Sequence, residues 1–226
     1  MNAKNRRNKL FLVGAGPGSP LSISVEALGH LEKSDVVIVD GDAESGLKPY
    51  LAGKEVVIVH GDWVKRSALA VRHLRRGKNV CCVSYGNPFL FGEGPALTRA
   101  CDKAGFSCVV SCAQSSLDQL FCMLRMGCNG ARGFYVATFH SVTAGVALNP
   151  AAPVFLMCLD TALRNPVNAR RLRRSLLAYY KPSRKIEALN ASGFRAAFRL
   201  DEFVDFCPKI PLQSSLYIPG AGRKNP

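Results

Sequence analysis

Residues 10–20 read LFLVGAGPGSP, and the stretch decides how the rest of the chain is to be read. Leu10–Val13 is a short apolar strand. Gly14, Gly16 and Gly18 follow, stiffened by Pro17 and Pro20, and helical periodicity then begins near Ile23 (Val25, Leu28, Leu31) and runs to Lys33. A glycine-rich turn from strand to helix lets the backbone approach a ligand closely, and the helix start offers free N–H groups to an anion. Ser19 stands where the dinucleotide fingerprint G-x-G-x-x-G needs its third glycine. Asp40, at the end of the next strand, is placed for a ribose contact and is the one feature favouring a dinucleotide. No G-K-[ST] follows, which excludes a phosphate-binding P-loop.

Outward from that turn, short β-branched runs alternate with helix-period stretches. Strands are expected at Val36–Asp40, Val56–His60, Val80–Ser84 and Ser107–Ser111, and helices at Arg66–Arg76 and Pro95–Ala104, ended by Gly77 and Gly105. A second glycine-rich turn, SYGNPFLFGEG at 84–94, again joins an apolar strand to a helix. Such alternation implies a mostly parallel, wound α/β sheet. Open sheets of this kind bind ligands at the carboxyl ends of their strands, so both turns should face one crevice.

Past about residue 130 the pattern changes. Phe134–Phe139, Val154–Leu159, Arg184–Asn190 and Ser214–Ile218 read as strands and Pro166–Leu177 as a basic helix, with Pro150, Pro153, Pro166 and Pro182 punctuating the chain. The expected organisation is a first lobe over 8–130 carrying both turns, and a second, mixed-sheet α/β lobe over 131–220. Gly220–Pro226 read as a frayed tail.

Composition narrows the class. At 226 residues, 48% hydrophobic and 20% charged, the chain is globular. No apolar run approaches the roughly 20 residues that span a bilayer. Lys4, Arg6, Arg7 and Lys9 lead straight into a strand and not into a signal sequence, so the cytoplasm is the expected compartment. The nine cysteines (Cys81, Cys82, Cys108, Cys122 and Cys158 among them) lie mostly in apolar segments without a C-x-x-C pair. They read as buried, reduced thiols, and no metal site is expected. The net charge of +14 concentrates in the amino-terminal residues, in Arg72–Lys78 and in Arg164–Arg174. It attracts an acidic partner, such as a polycarboxylate or an acidic peptide. Aromatic residues are not interleaved with the basic runs, which disfavours a single-stranded nucleic acid.

Both turns carry a family resemblance. LFLVGAGPGSPLSISVEALGHLEKSDVVIVD resembles the opening of the tetrapyrrole (corrin/porphyrin) methylase superfamily, with its G-x-G-P-G-[DS] turn and A-D-V-V strand. SYGNPFLFGEG resembles the second hallmark, G-D-P-[FL]-x-[FY]-G-x-G, and VVSCAQSSLDQLF the segment around P-G-[IV]-[ST]-[SA]. FLMCLD, IEALNAS, FRLDEF and IPLQSSLYIPG are similar to the later strands, so the likeness runs in order over about residues 8–220.

The resemblance implies a two-lobed α/β methyltransferase, commonly a homodimer, that holds S-adenosylmethionine. By position it brings Pro17, Tyr85, Gly86, Asn87, Leu90 and Glu93 to the cofactor from the two turns, and Ser115 and Ser116 from the third segment. From the second lobe it adds Met157, Ala191, Ser214 and Ser215. Two acceptors stay open. Precorrin-like tetrapyrroles fit the family as a whole. Tyr85-Gly86-Asn87-Pro88 is similar instead to the Tyr-Gly-His-Pro of the borosin-type peptide backbone N-methyltransferases, as is LRRSLLAYYKPSRKIEAL. The Arg-x-x-Tyr pair of those enzymes is absent, His60 and Trp63 occupying its places, and Gly133 stands for their glutamine. Cys112-Ala113 replaces the Pro-Gly usual in corrin members. A peptide amide would need an acid–base group, for which Tyr85 and His60 are the candidates near the turns. A nucleotide-binding oxidoreductase and a basic nucleic-acid-binding module without catalysis are the other classes the residues leave open.

Overall fold

The structure, a computed structural model, describes residues 8–127 and 133–220. The chain divides into two compact units between Gln119 and Leu120. The first contains strands β1 (Lys9–Gly14), β2 (Val36–Asp40), β3 (Glu55–Val59), β4 (Val80–Ser84) and β5 (Ser107–Val110). Its helices are α1 (Val25–Glu32), α2 (Glu44–Leu47), α3 (Trp63–Arg75) and α4 (Gly94–Lys103). Helix α5 (Ser116–Leu124) runs across the division.

The first sheet has the order β3-β2-β4-β1-β5, and every neighbouring pair is parallel. Its strands are continuous apolar runs because both faces are covered. On one face Leu10, Leu12, Val80 and Cys82 pack with Ala70 and Leu74 of α3 and Leu97 and Cys101 of α4. On the other, Phe11, Val13, Cys81 and Val83 pack with Ala27 and Leu31 of α1. Ser24 caps α1 by accepting from the Ala27 N–H at 3.1 Å, and Asp62 caps α3 from Lys65 at 2.9 Å. That cap starts α3 at Trp63, ahead of the expected Arg66. The register of β1 on β4, Leu10 against Val80 through Gly14 against Ser84, sets the two glycine-rich turns side by side.

The second unit contains β6 (Tyr135–Thr138), β7 (Val154–Met157), β8 (Lys185–Leu189), β9 (Arg195–Arg199) and β10 (Ser215–Ile218), in the order β6-β7-β10-β8-β9. Only β6 and β7 pair in parallel; the other pairs are antiparallel. Its helices are α6 (Phe139–Thr143), α7 (Asp160–Leu163), α8 (Pro166–Leu177) and α9 (Phe203–Phe206). Phe139, expected as strand, instead opens α6, because Thr138 and Ser141 form a reciprocal cap there. Helix α8 buries Ala169, Leu172 and Leu176 and exposes Arg170, Arg171 and Arg174, a solvated basic face.

The α/β class, the parallel first sheet and the mixed second sheet are as expected. The boundary drawn between 130 and 131 falls within 128–132, outside the described residues, and packing divides the chain earlier. Phe121 of α5 meets Phe134 and Phe155 edge-on, with ring centroids 5.0 and 5.1 Å apart, which assigns the end of α5 to the second unit. Residues 221–226, read as a tail, also lie outside the described residues. Among the described residues, no helix is long and apolar enough to cross a membrane, and no cluster of His, Cys, Asp and Glu could hold a metal ion.

The cysteines described are free thiols. Burial pushes Cys82 up to about 12 and Cys207 up to about 11, so both stay protonated. Cys122 and Cys158 are exposed, contrary to expectation. Cys122 lies on the outward side of α5, and Cys158 sits in the turn that leaves β7.

Candidate functional site

At the carboxyl edge of the first sheet the two glycine-rich turns are joined by their backbones. Gly16 and Gly86 form an antiparallel bridge, in which the Gly86 N–H donates to the Gly16 carbonyl at 2.9 Å. Ala15 N–H donates to the Ser84 carbonyl, also at 2.9 Å. A Cβ on Gly14 would overlap the Gly86 carbonyl oxygen and the Ala113 methyl, so three segments converge where no side chain fits. Gly16 and Gly86 hold φ of 74° and 60°, in the left-handed region that glycine adopts without strain.

Pro17 is buried in this edge, and the Tyr85 ring lies over Gly18, where an added Cβ would stand 3.6 Å from Cε2. Asn87 shapes the second turn twice over. Its Oδ1 accepts from Phe89 N–H at 2.9 Å, and its Nδ2 donates to the Ala113 carbonyl at 3.2 Å. Leu90 N–H donates to the Asn87 carbonyl at 3.1 Å, and Gly94 N–H closes the turn on the Pro88 carbonyl at 2.8 Å. Ser115 precedes α5, where its hydroxyl and N–H both donate to the Asp118 carboxylate at 2.6 and 2.7 Å. Ser116 presents its backbone N 3.9 Å from a Cβ position on Gly86. Thus Pro17, Tyr85, Gly86, Asn87, Leu90, Ser115 and Ser116 gather at one edge.

Two predicted residues stand differently. Glu93 turns inward, where it pairs with Arg66 and accepts from the Ser84 hydroxyl at 2.9 Å. His60 is exposed just past β3, its ring packed on the Gly41 backbone. In the sheet order it is two strands from β4, about 10 Å at ordinary strand spacing.

Arg66 was not among the predicted residues. It is 1% exposed, and its Nη2 donates to the Val83 carbonyl at 2.6 Å while Nη1 lies 3.4 Å from Asp40 Oδ2. The available signal was positional, since Arg66, Ala70 and Leu74 fall on one helical stripe that is otherwise apolar.

In the second unit, Met157 ends β7 and Ser215 opens β10, with the Ser215 hydroxyl 3.3 Å from the Met157 sulfur. Ser215 pairs with Leu189 on its other side, two residues before Ala191. Asn190 holds the turn beyond β8, its Oδ1 accepting from Ser192 and Phe194 N–H, each at 3.1 Å. Ser214 is buried and donates to the Pro211 carbonyl at 2.6 Å. The four predicted residues of this unit therefore lie along the ends of β7, β10 and β8. Beside them Cys158 holds φ at 56°, a conformation costly for a side chain bearing Cβ. Cys158→Gly should stabilise the protein by up to about 1 kcal/mol, seen as a raised urea midpoint with unchanged slope. An unchanged or lowered midpoint would show that the turn carries no strain.

A family model described as Tetrapyrrole (Corrin/Porphyrin) Methylases matches residues 9–189. The chain belongs to this family. Among curated proteins, a siroheme synthase of Acinetobacter baylyi is 33% identical over 100 residues, covering 39% of this chain and 21% of that protein. A uroporphyrinogen-III C-methyltransferase of Methanobacterium ivanovii is 34% identical over 92 residues, 38% of this chain and 40% of that enzyme. The chain thus spans less than half the length of these relatives. A solved uroporphyrin-III C-methyltransferase of Thermus thermophilus superposes with a TM-score of 0.77 at 24% identity, over 94% of each chain. A cobalt precorrin-4 methyltransferase superposes at 0.75 and 16%, over 93% of this chain and 94% of that one. At such identities the likeness establishes the tetrapyrrole methylase fold.

Proposed function

We propose that this tetrapyrrole methylase is an S-adenosylmethionine-dependent methyltransferase whose acceptor is a tetrapyrrole or corrinoid polycarboxylate. The observation that carries the reading is the Gly16–Gly86 bridge, which builds a cradle from two glycine-rich turns. A Cβ at Gly14 would overlap the Gly86 carbonyl and the Ala113 methyl, so the turns pack directly on one another, whereas one at Gly86 would meet only the Ser116 N, at 3.9 Å, which leaves the Gly86 backbone open to an adenosyl ligand. A Thermus thermophilus uroporphyrin-III C-methyltransferase of the same fold, 21% identical over 94% of this chain and 92% of its own with a TM-score of 0.70, was solved with S-adenyl homocysteine. Two of the relatives that share sequence are named for uroporphyrinogen III.

S-adenosylmethionine supplies an electrophilic methyl group on sulfur. The chain's part is to hold donor and acceptor at about 3–3.5 Å in a site that excludes water. Backbone groups of the bridged turns orient the donor. Pro17, Tyr85 and Leu90 give apolar walls, and Ser115 and Ser116 offer donors at the start of α5. From the second unit the reading adds Met157, Ala191, Ser214 and Ser215. An electron-rich corrinoid carbon needs little acid–base help, and Tyr85, over Gly18, is the phenol at hand to hold or take a proton. His60 lies just past the edge strand β3 and takes no part in this reading. The charge of +14 draws a polycarboxylate. The reading extends to a homodimer, as the resemblance implies, and to the cytoplasm, as the amino-terminal residues suggest. The peptide acceptor has no second observation behind it and is not carried forward, nor are the oxidoreductase and nucleic-acid readings.

Calorimetry with S-adenosylhomocysteine tests the donor site. Saturable binding is expected, with stabilisation of about 2.7 kcal/mol at a hundredfold excess over Kd, and none with NAD. Absence of binding at millimolar ligand would end the reading. Transfer of labelled methyl from S-adenosylmethionine to uroporphyrinogen III, but not to a peptide, then tests the acceptor.

A further inference from the structure

The methylase reading leaves Arg66 unexplained. Its guanidinium is almost wholly buried and its Nε has no acceptor among the described residues. Burying a charge costs several kcal/mol, and apolar replacement of a whole buried ion cluster is often neutral or stabilising. Stability alone therefore gives little reason for a charge on the apolar stripe of α3. The partners of Arg66 give a better one. All lie at the carboxyl edge of the sheet: Asp40 ends β2, Val83 is the penultimate residue of β4, and Glu93 closes the second glycine-rich turn.

We propose that Arg66 is a positioning residue, which through Glu93 fixes the turn 84–93 in the shape that receives the donor. The turn has two clamps. One is backbone, the Gly94 N–H on the Pro88 carbonyl. The other is the chain Ser84–Glu93–Arg66, which ties the first residue of the turn to its return and both to the rigid helix α3. Tyr85, Gly86, Asn87 and Leu90 lie between the tied ends. Without the guanidinium, the Glu93 carboxylate would be left half-buried and uncompensated. It would swing to water, release Ser84, and leave the turn held by backbone alone.

The inference rests on the proposed donor site, and the test separates the two. Glu93→Gln keeps the shape and an oxygen for Ser84 but removes the ion pair. Arg66→Met with Glu93→Leu removes the brace whole. Arg66→Lys keeps the charge. Hydrogen exchange of the amides of residues 85–92 needs no ligand. It is expected to quicken at least about tenfold in Glu93→Gln and in the double variant, while β1 and β4 amides keep their protection. Calorimetry is expected to show S-adenosylhomocysteine binding about tenfold weaker in both, with partial rescue in Arg66→Lys. Wild-type exchange of the turn in folded Glu93→Gln would overturn the brace. So would wild-type affinity in either variant. Should the double variant fail to fold, Glu93→Gln decides alone. Failure of the unaltered protein to bind S-adenosylhomocysteine would sink the donor site, while the exchange result still stands or falls by itself.

Discussion

Gly14→Ala is expected to weaken S-adenosylhomocysteine binding at least about a hundredfold and to lower stability by about 1–3 kcal/mol. Gly14 is the last residue of β1 and pairs in register with Ser84. An added methyl would overlap the carbonyl oxygen of Gly86 and the Cβ of Ala113. Neither can yield like the tip of a flexible side chain. Gly86 is bridged to Gly16 through its own N–H, and the Ala113 carbonyl is held by Asn87. The strain must therefore move the second turn, the segment before α5, or both, and these are the walls of the proposed site. The φ of Gly14 is not in the left-handed region, so the penalty comes from contact and not from backbone preference. Calorimetry reads the first effect and denaturant unfolding the second. Binding within twofold of wild type would show that the junction of the turns is not where the donor lies.

That junction also marks what could be read in advance. Val36–Asp40, Val80–Ser84 and Pro166–Leu177 fall at the residues expected, because continuous apolar runs between turn residues, or an Asn165 cap before Pro166, fix their ends locally. The glycine-rich turns were legible for the same reason. Their bridge was not, since it depends on β1 lying beside β4, a pairing that no local pattern encodes. The sequence marks Arg66 only as the start of a helix over 66–76, although its place on an apolar stripe distinguishes it from the exposed Arg72, Arg75 and Arg76. The S-x-x-D spacing of Ser115 and Asp118 announced the start of α5, yet the stretch was read only by resemblance. Strand β9 is not legible, because Arg195–Arg199 carries too short an alternation to stand alone and the family motif at 198–203 overlaps only its last two residues. The neighbourhood of Met157 and Ser215 likewise came from resemblance; their 3.3 Å contact is a product of tertiary pairing.

The division of the chain between Gln119 and Leu120 leads to the second large effect. Phe155→Ala should destabilise the second unit by about 3–5 kcal/mol. Phe155 is fully buried in β7, on the opposite side of the strand from Val154 and Leu156, which belong to the main core of that unit. Its ring meets Phe121, Phe134 and Tyr217 at centroid distances of 5.1, 6.0 and 5.3 Å, the first two close to perpendicular. Such edge-on pairs add about 0.5–1.5 kcal/mol each beyond area burial. Truncation removes all three contacts and leaves a void that the rigid β7 backbone, paired on both sides, cannot close. Phe155→Leu refills most of the volume and should recover more than half of the loss. The exchange protection of α5 gives a second reading. If Phe121 is what assigns the end of α5 to this unit, amides of 120–124 should lose protection in Phe155→Ala, whereas those of β1 and β4 should not. A loss of stability below about 1 kcal/mol, or α5 protection unchanged, would place the division of the chain elsewhere than at Gln119.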